Sequence, residues 1–152
     1  MKRVIPVLCG LLLLICSGVP AFAAESFGRT LERHLQAIQD RDLEAMMATV
    51  SEQPGPTLIF PNGQLLTGKQ AFREFHTTWF ADTQWRMDIT EVRRVVSANM
   101  ATVLLRYTYR DVPEVGQGNP RSSFLVLVFQ QIDDQWLLVH DQNTRIEPPA
   151  DE

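Results

Sequence analysis

The residues best suited to chemistry stand close together near the C-terminus, in Trp136-Leu-Leu-Val-His-Asp-Gln-Asn-Thr144. Strict alternation along a strand puts Trp136, Leu138, His140, Gln142 and Thr144 on one face. That face runs from an apolar end to a hydrogen-bonding end, which suits the wall of a small-molecule pocket. His140 is the leading catalytic candidate, because imidazole gives or takes a proton near neutral pH. Gln142 and Thr144 could orient a carbonyl or hydroxyl of the ligand. A shift of one residue would instead turn Val139, Asp141 and Asn143 inward. It would bury a carboxylate among apolar groups, which is costly unless the charge is paired. His140 is equally compatible with a core histidine bonded to backbone carbonyls.

Further candidates are scattered along the chain. His34 follows Leu31 and precedes Leu35 and Ile38, so it belongs to the inner arc of a helix or to its boundary. Burial there disfavours the charged ring. In Met100–Asp111, Leu105, Tyr107 and Tyr109 share one face while Arg106 belongs to the other. An inward Arg106 could fork a carboxylate, but Leu105 and Tyr107 make the better inner wall. Phe60, Trp79 and Trp85 complete the set of candidate ligand contacts, the tryptophans as a roof or as core filling. The three histidines, His34, His76 and His140, fall in no metal-binding spacing. No phosphate loop or nucleophile elbow is present, and no cofactor is expected.

Helices must position these groups first, and strands after them. Phe27, Leu31, Leu35 and Ile38 recur at helical spacing. Asp42 is a candidate N-cap for a short helix reaching Val50. Thr57–Phe60 reads as a short strand, with a turn at Asn62-Gly63 and a return through Leu65-Leu66. Gly68 opens a third helix with Phe72 and Phe75 on its apolar side. Four strands follow: Trp85–Val96, Met100–Asp111, Ser122–Gln131 and Trp136–Thr144. This order predicts an α+β domain built on an antiparallel meander. Phe124–Phe129 is apolar on both faces, so both need cover, and a second copy would supply one of them.

The first residues have the form of a secretory signal: Lys2 and Arg3, an apolar stretch to Val19, then Ala21-Phe-Ala23 as the cleavage site. The expected product is exported, to a periplasm or beyond. Its domain spans residues 24–146, followed by a disordered tail at 147–152. Both cysteines lie in the leader, so neither a disulfide nor a catalytic thiol is expected. Loss of Lys2 and Arg3 takes the net charge from −4 to −6, which argues against a nucleic-acid partner. No later apolar run is long enough for stable membrane insertion.

Four segments together resemble the nuclear-transport-factor-2-like (NTF2-like) superfamily, in its SnoaL-like bacterial branch. They are the first helix running into Ala37-Ile-Gln-Asp-Arg-Asp42; Leu58-Ile-Phe-Pro-Asn-Gly-Gln64; Gly68-Lys-Gln-Ala-Phe-Arg-Glu-Phe75; and the closing strand. The resemblance implies a cone-shaped fold in which a curved sheet wraps helices around a central pocket, with many relatives dimeric through the outer sheet face. The family pattern has a second His and a Ser in the closing strand. Gln142 and Thr144 stand there instead, and Gln is no proton shuttle. The expected function is an exported small-molecule-binding protein. The alternatives are a cofactor-free acid/base enzyme (an isomerase, dehydratase or cyclase) using His140 with Asp141 or His34, and a structural or partner-binding dimer.

Overall fold

A computed structural model describes residues 25–112 and 120–147. The signal-cleavage site, most of the 112–120 loop and the end of the tail lie outside these residues. Helix α1 spans Phe27–Asp40, α2 Leu43–Met47 and α3 Lys69–Ala81. The strands are β1 Thr57–Ile59, β2 Leu65–Thr67, β3 Trp85–Val96, β4 Met100–Asp111, β5 Arg121–Ile132 and β6 Gln135–Arg145. They form one curved sheet in the order β2-β1-β6-β5-β4-β3. All neighbours pair antiparallel except β1 and β6, which are parallel. The α+β class and the helix-then-meander order read from the sequence are those of the structure.

Local chemistry explains the joints. Asp42 caps α2, its carboxylate accepting from the Ala45 amide at 2.9 Å. Arg41 ends α1 in the left-handed conformation (φ 56°). From there its guanidinium donates to the Trp85 carbonyl oxygen at 2.6 Å and lies over the Trp85 ring, tying the end of α1 to the start of β3. Asp133 and Asp134 both take positive φ, as a two-residue hairpin between β5 and β6 requires.

The core fills the space between α1 and the concave sheet face. Ala101, Val103, Leu105, Leu127, Phe129 and Leu138 from the sheet are fully buried. Phe27 packs edge-on against both Phe129 and Trp136. Trp136 and Leu138 therefore belong to this core. The opposite, outer face carries Phe124, Val126 and Val128, of which Phe124 is 38% exposed.

Candidate functional site

Cross-strand pairing orders the concave face row by row, because directly paired residues share a face. Ala101, Phe129 and Leu138 form the deepest row. Val103, Leu127 and Asp141 come next, then Leu105, Leu125 and Asn143, then Tyr107, Ser123 and Arg145. Asp141 and Asn143 stand in this series because β6 contains a bulge. Phe129 pairs with Leu138 and Val128 with His140, so Val139 is skipped. The extra residue moves every later side chain to the other face.

This overturns the strict alternation expected from the sequence. His140, Gln142 and Thr144 pair with Val128, Val126 and Phe124 on the outer face. The His140 ring is hydrogen-bonded there to the Thr57 hydroxyl at 2.6 Å. Asp141 and Asn143 take the inner positions in their place.

They open into a cavity of about 160 Å³ between α1, α3 and the sheet. That is the scale of the ~150 Å³ apolar cavity known to hold a benzene molecule. Phe60, Phe75, Trp79, Tyr107 and Tyr109 form an aromatic wall, and Ile38, Leu58, Met87 and Leu125 complete the apolar lining. Trp85 is buried behind this wall, stacked on Trp79 with centroids 4.6 Å apart. Arg106 is exposed on the outer face.

The polar groups of the cavity form a chain. The Tyr107 hydroxyl donates to Asn143 Oδ1 at 3.0 Å, and Asn143 Nδ2 donates to Asp141 Oδ1 at 2.8 Å. The amide thus relays hydrogen bonding from the phenol to the carboxyl. Burial pushes the Asp141 carboxyl up to about 7, with the Asn143 hydrogen bond opposing this. The expected cost of burying Asp141 is real. It is met partly by the amide and partly by retention of a proton.

His76, from α3, also lines the cavity. Its Nδ1 sits 2.8 Å from the Phe72 carbonyl oxygen, so Nδ1 carries the hydrogen and Nε2 the lone pair. Burial lowers its pKa to about 4, so the ring is neutral at pH 7. Sequence reasoning passed over His76, although its spacing from Phe72 and Phe80, four residues each way, places it on the apolar stripe of α3. His34 is buried outside the cavity lining. Its Nδ1 bonds the Thr49 hydroxyl at 2.7 Å, and its ring meets Phe129 edge-on. Of the candidates read from the sequence, Phe60, Trp79 and Tyr107 line the cavity. Among the described residues no cluster of three His, Cys, Asp or Glu side chains is placed to hold a metal ion, and no helix is long and apolar enough to cross a membrane.

Comparison with known proteins places this geometry. A family model described as a SnoaL-like domain matches residues 29–143. Among solved structures, a candidate dehydratase of the NTF2-like family from Streptomyces avermitilis superposes with a TM-score of 0.70 at 16% identity, covering 86% of this chain and 100% of its own. A ketosteroid isomerase-like protein from Erwinia carotovora atroseptica gives 0.65 at 19% identity, covering 80% and 94%. A protein of unknown function with a cystatin-like fold, from Nostoc punctiforme, gives 0.62 at 17% identity, covering 80% and 89%. At these identities the likeness is one of fold. No curated protein matches the chain.

Proposed function

The chain belongs to the SnoaL-like domain family, and from that premise we propose that its cavity binds a small molecule and performs cofactor-free acid/base chemistry on it, with Asp141 as the proton carrier. One observation carries this reading: a carboxyl buried in an aromatic cavity, linked through Asn143 to Tyr107 and titrating near neutrality. A group with that pKa can both accept and return a proton at physiological pH. The sequence alone favoured binding without catalysis, because His140 stood as a single titratable group. Asp141 and His76 lining one cavity supply the missing pair. Two structural neighbours are named as a candidate dehydratase and a ketosteroid isomerase-like protein, and such names are compatible with this reading.

In the simplest step, ionised Asp141 removes a proton from the carbon beside a substrate carbonyl. The protonated carboxyl then returns it to the same carbon of the enolate or, where a conjugated double bond makes the anion a dienolate, to the far carbon of that system. Neutral His76 offers an acceptor lone pair, and the Tyr109 phenol offers a donor to the developing oxyanion. Deuterium wash-in beside the carbonyl of 2-indanone, followed by NMR at pH 7, tests this step. The wild type should accelerate exchange over buffer, and Asp141→Asn should lose about 10²–10⁴-fold of that acceleration. No acceleration by the wild type would leave a binding pocket without catalysis.

The molecule is exported, with cleavage after Ala23, to the periplasm of a diderm bacterium or secreted otherwise. Mass spectrometry of the exported protein should find Ala24 at its N-terminus. An intact Met1 in the membrane fraction would contradict this. The outer face with Phe124, Val126 and Val128 is covered by a second copy, because a domain of this size cannot cover both sides of β5 itself. Light scattering at micromolar concentration should give twice the monomer mass; a clean monomer overturns the dimer.

A further inference from the structure

Tyr107 and Tyr109, near the end of β4, form part of the cavity wall. A second hollow of about 190 Å³ adjoins it there and shares Pro61, Tyr107 and Tyr109 with it. Its remaining walls are Arg121, Ser123 and Arg145. Strand register explains why both arginines face this way. Arg145 lies in the row of Tyr107 and Ser123, and Arg121 pairs with Tyr109 one row further out. Burial and then the Asp141 carboxylate push the Tyr107 phenol up, and the Ser123 hydroxyl, Arg145 and Arg121 act against them.

Neither arginine is held by a buried partner. Arg121 lies over the Tyr109 ring at 5.0 Å and has a loose, exposed contact with Asp111 at 3.4 Å. Such a contact contributes little and exchanges readily. Arg145 pairs with no carboxylate among the described residues. Two guanidinium groups at one mouth are a local reversal in a chain whose net charge is −4.

We infer that the ligand is a small aromatic carboxylate, its ring seated in the aromatic cavity and its carboxylate held at the mouth by Arg145 and Arg121. This deepens the proposed function and rests on its pocket. The cavity has room for about one ring, so the rest of the ligand must emerge beside Tyr107, into the reach of both arginines. A planar guanidinium fork matches a carboxylate in geometry as well as charge. Exposed charges there also attract an anion from solution, an effect that salt screens.

Cinnamate and cinnamamide test this, since they differ in charge but hardly in shape. Trp79 in the cavity wall supplies a fluorescence signal. The wild type should bind cinnamate about tenfold more tightly than the amide at low salt, and the gap should narrow at high salt. The double variant Arg121→Gln, Arg145→Gln should bind both with the affinity the wild type has for the amide. Both positions are exposed, so the fold should tolerate the change, and unchanged amide binding would verify that. Equal binding of acid and amide by the wild type overturns the inference and leaves the pocket standing. A preference that survives the double substitution also overturns it. Failure of both probes to alter Trp79 fluorescence overturns the pocket reading, and this inference with it.

Discussion

Asp141→Asn is expected to stabilise the protein at pH 8 while removing its proton chemistry. The sign follows from linkage. Burial raises the folded-state pKa of Asp141 from 3.8 to about 7. Between those values the folded carboxyl keeps a proton that the unfolded chain releases. Its favourable contribution is complete below about pH 4 and is lost as pH rises through about 7. Above that the folded protein carries a buried anion. At about 1.4 kcal/mol per pH unit the difference between pH 4 and pH 8 is on the order of 4 kcal/mol. Asn does not titrate, and its amide oxygen can still accept the bond from Asn143 Nδ2. Denaturant midpoints of wild type and variant at pH 4 and pH 8 measure this. The variant should be more stable by a few kcal/mol at pH 8, with little difference at pH 4. Equal midpoints at both pH values would mean that Asp141 is solvated, and the acid/base proposal would lose its basis. A stabilising substitution that abolishes activity is the usual mark of a group kept for function at a cost to the fold.

The way this site escaped the sequence is instructive. The fold itself was legible: helical spacing from Phe27 to Ile38, a cap at Asp42 and four long strands all stand where the residue patterns put them. Parity in β4 left its two faces open, with Leu105 and Tyr107 only the better inner wall; Tyr107 lines the cavity and Arg106 is exposed. What failed was parity in β6. A period-two argument is only as good as its register, and a bulge consumes one residue without changing the composition around it. Val139 looks like any other strand residue. The single clue lay in the polar residues after it. Asp141, Asn143 and Arg145 form a graded acid, amide and cation series at every second position, as chemically ordered as His140, Gln142 and Thr144. Energy favoured the wrong choice, since burying a carboxylate costs more than burying an imidazole. That argument left out proton retention and the neighbouring amide two residues on, which together make the buried carboxyl tenable. His76 was missed for a different reason: on α3 it reads as one more member of an apolar stripe.

The two buried histidines should make the fold acid-sensitive, and Asp141 should conceal this in the wild type. His34 is fully enclosed, its pKa lowered to about 3 chiefly by burial and further by the neighbouring His76, whose own pKa lies near 4. Both rings are neutral in either state above pH 6.5, so neither affects stability there. As pH falls below 6.5 the unfolded chain gains protons that the folded chain refuses, and stability is lost down to pH 3–4. At pH 4.5 each ring accounts for a loss of about 2–3 kcal/mol relative to pH 7. Asp141 works in the opposite direction over the same window, by about 3 kcal/mol, so the wild-type profile is partly flattened. Removing the acid should expose the bases: between pH 7 and pH 4.5, Asp141→Asn should lose on the order of 5 kcal/mol where the wild type loses about 2. His34→Leu added to that variant should recover about half of the loss. It removes one titration, and the Thr49 hydroxyl keeps its bond to the Met46 carbonyl. Urea midpoints for the wild type, the single variant and the double variant at the two pH values test the whole scheme. Parallel profiles in all three would show that neither Asp141 nor His34 has a pKa shifted by folding, and the enclosure of His34 between Thr49 and Phe129 would have to be abandoned.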